Sequence, residues 1–288
     1  MGVCPGAADA RRKELLRAAD NLPPLSPVVN LLLAKLSRED VRFAEVSELI
    51  EKDTVLAADL LQTVNSALYG LAGTINSVRH GLSVIGLEKA RNIALAASVA
   101  RFWRKEPSAG FWSGPRFNTH SVATALLADL LAQRMAVDYA EGAFTAGLFH
   151  DIGKYLAASA LPAEFDSVQR LLAGGTVDAD EAEVRHYGIP HGELAAAALG
   201  RWNLPAPIVE AVCRHHHPER LRHGRIPLSL VIQAADHCVN RMGMGYASSN
   251  PCENGNAADS LEKLGLGEGV QRVLEAFEAE FEIVRGVL

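Results

Sequence analysis

Phe144-Thr-Ala-Gly147-Leu-Phe-His150-Asp151-Ile-Gly153-Lys154-Tyr-Leu-Ala157 is an apolar run with ionisable residues set into its middle. Its spacing predicts one helix over 144–157, with Gly147 and Gly153 as points where neighbouring elements can come close. Adjacent residues on a helix point about 100° apart, so His150 and Asp151 can both reach an ion placed between those directions. A charged Asp beside Leu148, Phe149 and Ile152 must have a partner to be buried. Two readings follow. Either Asp151 pairs with Lys154 at i+3 and His150 is a hydrogen-bonded core histidine, or the two residues are metal ligands.

Working outward, further residues of the same kind favour the second reading. His120 begins the inner face of a helix that carries Ala123, Thr124, Leu127 and Leu131. Asp236 lies at i+4 from Ile232, on a stripe made of Leu228, Val231, Ile232, Ala235 and Val239, where an acid is costly unless neutralised. His191 follows Pro190 at a helix start, and His215 and His216 end a helix over 208–214. Imidazole suits Fe, Zn, Ni or Mn, and a carboxylate can bridge two such ions. Several helices presenting one or two of these residues each predict a metal site.

Outside this series the periodicity is helical almost throughout, and strand alternation is nearly absent. Over 41–61 the apolar positions keep to three- and four-residue steps until Lys52-Asp53-Thr54, which is read as the start of a new helix. The segment 106–115, rich in Pro, Gly and Ser, is the expected linker, and 243–256 an expected mobile loop. A stripe of Val270, Val273, Leu274, Phe277, Phe281 and Val284 predicts an amphipathic tail that docks on its own chain. The expected divisions are a helical subdomain over 10–105, a second carrying the His and Asp residues over 111–243, and a tail over 257–288.

The 288 residues are 49% hydrophobic, enough for a large core, and no apolar stretch approaches the length of a membrane span. A formal charge of -6 argues against broad nucleic-acid binding, which needs Lys and Arg on phosphates. Cys4, Cys213, Cys238 and Cys252 show no C-x-x-C spacing, and the amino terminus lacks the apolar core of a secretory signal. A cytoplasmic location is expected. No Walker loop or dinucleotide fingerprint is present.

Gly-Leu-Phe-His-Asp-Ile-Gly-Lys at 147–154, with His120 before and Asp236 after, resembles the HD superfamily of metal-dependent phosphohydrolases. The first half narrows the resemblance. Leu22-Pro-Pro-Leu-Ser-Pro27, Asp53-Thr-Val-Leu56, Asn65-Ser-Ala-Leu-Tyr69, Leu82-Ser-Val-Ile-Gly86, Trp202-Asn-Leu-Pro205 and His215-His-His-Pro218 are similar to the HDOD family, over roughly 15–240.

The resemblance implies an all-α fold in which an N-terminal helical bundle packs on an HD-like bundle, with a C-terminal helical tail. It implies a bacterial signal-transduction module acting through a protein partner. It also implies a ligand set: His120, His150, Asp151 and Asp236 around one divalent ion, with His191, His215 and His216 serving a second, bridged by Asp151. Arg116 stands where some superfamily members have a further acidic ligand, so no third ion is expected. The alternative function is a metal-dependent phosphohydrolase acting on a phosphomonoester, phosphodiester or nucleotide, with Asp151 and Lys154 in catalytic roles. Cyclic dinucleotide hydrolysis is discounted, because no Gly-Tyr-Pro follows His217. A homo-oligomer is compatible with this reading. For Asn65, capping or turn fixing is preferred to any catalytic role.

Overall fold

The computed structural model describes residues 5–25, 27–34, 43–66, 74–102, 107–175, 177–219, 224–246, 256–262 and 264–285. Among these the secondary structure is helical, and the sole β feature is an isolated bridge between Val137 and Ile226. The chain forms two compact units, one from residues 1–23 and 105–274, the other from 24–104 and 275–288.

In chain order, α1 (Pro5–Asp20) belongs to the first unit, and α2 (Pro27–Ala34), α3 (Phe43–Glu51), α4 (Thr54–Val64), α5 (Val78–Ile85) and α6 (Leu87–Phe102) to the second. The break predicted at Lys52-Asp53-Thr54 is present: Asp53 is the N-cap of α4 and accepts hydrogen bonds from the Val55 and Leu56 amides. Leu56, Leu60 and Val64 of α4 are buried with Ile50 of α3 and Leu82 of α5. Asn65 ends α4. Its amide donates to Leu61 O and Ile75 O, each at 2.8 Å, and its carbonyl accepts from Ile75 N at 2.7 Å. The side chain thus pairs with the backbone of Ile75 much as a neighbouring strand would. Asn65→Ala leaves both Ile75 groups without partners beside the buried Ile75 side chain, and is expected to cost about 1–3 kcal/mol in chemical denaturation. The His and Asp residues lie in the other unit and should be unaffected.

The first unit continues with α7 (Gly114–Ala132), α8 (Ala143–Phe149), α9 (Ile152–Ala160), α10 (Pro162–Ala173), α11 (Ala179–Tyr187), α12 (His191–Arg201), α13 (Ala206–Cys213) and α14 (Leu228–Val239). α7 is its axis. Every residue from His120 to Ala132 is buried, not one face alone, and both α8 and α14 pack against it. Two short segments fix α14 there: Asp138 N donates to Ile226 O and Ile226 N to Ala136 O, while Asp138 Oδ1 accepts from Leu228 N at the start of α14. This lays Asp236 beside His120. At the end of α12, Asn203 takes a left-handed φ of 54°, which Asn tolerates better than most residues, and turns the chain through Trp202-Asn-Leu-Pro205 into α13.

α15 (Asp259–Glu262) and α16 (Gly269–Arg285) complete the chain. On α16 the predicted stripe is buried at Val270, Val273, Phe277, Phe281 and Val284, while Leu274 is partly exposed. The predicted loop over 243–256 falls largely on 247–255, outside the described residues. The same holds for Glu106 at the start of the predicted linker and for residues 67–69 of the Asn65 motif.

Candidate metal centre

His150 and Asp151 do not sit inside one continuous helix, contrary to the reading of 144–157. α8 ends at Phe149 and α9 begins at Ile152, with Asp151 at φ -101°, ψ 9° between them. Periodicity cannot register a single residue leaving the helical ladder. The break places His150 Nε2 and Asp151 Oδ2 3.5 Å apart and directs both to the same point.

Close packing brings the other elements in. A Cβ on Gly147 would lie 2.7 Å from Ala125 Cα of α7, and a Cβ on Gly153 only 2.0 Å from His191 O at the head of α12. Side chains at these positions would hold the helices apart. With glycine there, all seven nominated residues converge. His120, His150, Asp151, His191, His215 and Asp236 are each 4% exposed or less, and His216 is partly exposed.

The donors fall into two sets. In the first, His120 Nε2 is 3.3 Å from His150 Nε2 and 3.1 Å from Asp236 Oδ1, and Asp151 Oδ2 lies 3.6 Å from His120 Nε2. In the second, His191 Nε2 is 3.3 Å from His215 Nε2 and 3.0 Å from His216 Nε2, and Asp151 Oδ1 lies 3.3 Å from His191 Nε2. Ligands about 2.1 Å from one ion are roughly 3.0 Å apart at right angles and roughly 3.4 Å apart at the tetrahedral angle, so both sets have the spacing of a coordination shell. Asp151 presents one oxygen to each. Its Oδ1, though buried, has no hydrogen-bond donor, the condition of an oxygen awaiting a ligand rather than completing a network. The residues fit transition ions in donor type, spacing and burial.

The hydrogen bonds behind the rings orient them. His150 Nδ1 donates to Gly147 O at 2.8 Å and His215 Nδ1 to Val212 O at 2.7 Å; a carbonyl only accepts, so in the neutral rings Nε2 carries the lone pair and faces the centre. Gln233 holds the His216 carbonyl and Asn240 donates to Asp236 Oδ1. Burial, with the neighbouring His191 and His150, pushes His215 down to about 3. Burial and the adjacent His215 likewise hold His216 well below the usual imidazole range. Both are therefore in the neutral, metal-binding form. Burial opposes charge on His150, but Asp151 and Asp236 outweigh it and raise its pKa. Asp151 and Asp236 are also penalised by burial, yet the histidines around them, and Lys154 for Asp151, keep both carboxyls well below their ordinary range.

Lys154 makes the predicted i+3 pair, Nζ to Asp151 Oδ2 at 2.9 Å, and this pair is compatible with the metal-ligand reading because it leaves Oδ1 free of the ammonium. Burial works against the ammonium, but Asp151 more than compensates and its pKa is raised. Nζ also lies 5.4 Å from the ring centroid of Tyr246, which stands 6.1 Å from the His120 ring and 5.9 Å from Trp112. These rings wall that side of the centre. Arg116 donates to Gly245 O, and His217 is exposed and paired with Asp180, so neither joins the donors. Cys238 is buried, with its thiol pushed up to about 12, which suits core filler and not a thiolate ligand.

Sequence reasoning missed Glu183. It is buried on α11, and its Oε2 accepts from both the backbone N of His191 at 2.6 Å and the ring Nδ1 at 2.7 Å. Burial works against a charged His191, but Glu183 outweighs it and pushes its pKa up to about 9. The available signal was an acid on the same stripe as Ala182 and Tyr187, eight residues before a nominated His.

Comparison with known proteins agrees with this architecture. An uncharacterized protein of Treponema pallidum (strain Nichols) is 24% identical over 200 residues, which cover 69% of this chain and only 38% of that protein. This chain thus spans well under half the length of that curated relative. The crystal structure of an HDOD domain protein of unknown function from Geobacter sulfurreducens superimposes with a TM-score of 0.76 at 23% identity, over 98% of this chain and 96% of that one. A candidate phosphohydrolase from Shewanella amazonensis SB2B gives 0.72 at 22%, over 96% and 98%. At these identities the likeness is one of fold. The HDOD domain pattern itself matches residues 22–218, and with two thirds of its length so matched, this chain belongs to the HDOD family.

Proposed function

We propose that this protein is a bacterial, cytoplasmic regulatory HDOD module whose buried His and Asp residues hold one or two divalent transition ions, and that it acts through contact with a signalling partner. The carrying observation is Asp151, whose two oxygens face two separate imidazole sets. His120, His150 and Asp236 would hold one ion; His191, His215 and His216 would hold the other. With every imidazole neutral, as metal binding requires, Asp151, Asp236 and Glu183 against Lys154 would carry two net negative charges in a nearly water-free volume, a balance that favours dications. Such ions would clamp α7, the α8–α9 break, α12, α13 and α14 together. The near-complete burial of the donors supports a clamp, because structural sites are closed whereas catalytic sites keep an open position.

Metal analysis of protein purified without chelator is the test. We expect one or two first-row ions of Fe, Mn, Zn or Ni per chain, and their loss in His150→Ala with Asp151→Ala. Native protein that is free of metal and melts normally would refute the clamp.

The second reading is a metal-dependent phosphohydrolase, favoured by Lys154 beside the shared carboxylate and by the name of the Shewanella neighbour. When bound, the ions would supply a water of lowered pKa. Asp151 would orient the donors of both sets, and Lys154 Nζ would attract a phosphoryl oxygen. Phosphomonoesters, phosphodiesters and nucleotides assayed with Mn²⁺ or Fe²⁺ should give no turnover. Turnover abolished by Asp151→Asn would replace the regulatory reading with this one.

A further inference from the structure

The four histidines whose outer nitrogens are accounted for are not held alike. Those of His150 and His215 meet backbone carbonyls, and Nδ1 of His120 is buried without a partner. Only His191 is backed by a carboxylate. α11 ends at Tyr187 with Gly188 as its C-cap, and the short Ile189-Pro190 connection turns the chain so that Glu183 faces the first turn of α12. One oxygen then takes both the backbone and the ring N–H of His191. Among the described residues Glu183 makes no ion pair with Lys or Arg; its charge is directed into the ring.

We propose that Glu183 is a positioning residue that sets the affinity of the second half of the centre, the half made by His191, His215 and His216, independently of the first. The inference rests on the metal-binding reading above. A carboxylate behind a ligating histidine fixes its tautomer and increases the electron density at the opposite nitrogen, and loss of such a partner typically weakens metal binding about 10–100-fold. The first half has no equivalent. Its rings are oriented by a carbonyl or by Asp236 itself, so it does not respond to the charge of Glu183. The two halves therefore differ in strength although they share Asp151.

The experiment uses the full chain stripped by chelator and titrated with Mn²⁺ and with Co²⁺, with chelator competition giving affinity and the visible spectrum of Co²⁺ reporting ligand geometry. Glu183→Gln keeps the volume and an accepting oxygen but removes the charge. The expected result is one class of site weakened about 10–100-fold and the other unchanged, with an altered Co²⁺ spectrum for the weakened class only. Glu183→Asp, which keeps the charge but withdraws it by one methylene, should fall between wild type and Glu183→Gln, and it decides the matter if Glu183→Gln does not fold. Equal weakening of both classes, or none, in a folded variant overturns the role of Glu183. Wild-type protein that binds no metal overturns the underlying reading as well, and the two failures are distinguished by the wild-type titration alone.

Discussion

Asp151→Asn is expected to empty the proposed metal centre and to lower stability by several kcal/mol, the largest effect of any single substitution there. The asparagine keeps the shape of the side chain but replaces one accepting oxygen with an NH₂ group, so one donor set loses its ligand whichever way the amide turns. The other keeps only a neutral, weaker one. Lys154 loses the carboxylate at 2.9 Å that holds its ammonium in a largely buried position. Removing one partner of a buried pair costs about 3–5 kcal/mol. The residual exposure of Lys154 places the expected loss toward the lower end of that range. Metal analysis and a thermal melt on the same sample check both parts. If the ions remain at wild-type occupancy, Asp151 is not their bridge. His120→Ala is the contrasting substitution, because it removes a donor from one set and should spare the other.

Gly153→Ala is expected to damage the same centre without touching a donor atom. The new methyl would stand 2.0 Å from His191 O, and both groups are backbone, so no side chain can turn aside to make room. α9 and α12 must move apart. Overpacking of this kind costs about 1–3 kcal/mol and at times more, whereas alanine regains only about 1 kcal/mol of helix propensity over glycine. The net effect is a loss. Because the displaced element begins with His191, the 3.3 Å separation between His191 Nε2 and Asp151 Oδ1 widens, and the second donor set should empty before the first. A variant with wild-type melting temperature and metal content would show that α9 and α12 are not held at this spacing.

Much of this was legible in the sequence, for reasons that differ by residue. The start of α4 could be read because Asp53 is an N-cap, a local device that needs no tertiary context. Asp236 could be read because an acid on an otherwise apolar stripe is expensive wherever the helix packs. The interruption at His150-Asp151 could not, since one residue outside the helical ladder leaves the spacing of its apolar neighbours intact. Nor could the all-round burial of α7, which depends on the tertiary packing of other helices, α8 and α14 among them, against it. Glu183 was hidden by company. It stands in Asp178-Ala-Asp-Glu-Ala-Glu183, where several acids look alike in sequence and only burial against His191 singles one out. The Asn65 clasp on Ile75 lay between, since the side chain could be read as a cap but not its pairing with a backbone ten residues on.

The meeting of α7 with α14 has a consequence for how the chain folds. His120 and Asp236 come from opposite ends of the unit's main stretch, so their contact closes a long loop whose entropy must be lost before any donor set is complete. That cost grows slowly with loop length, but non-local closure of this kind slows folding. The first donor set therefore cannot be complete before α14 has docked on α7. During synthesis the first set stays incomplete until the helix carrying Asp236 has emerged and docked, so uptake of the proposed ion at that set would report that α7 and α14 have met.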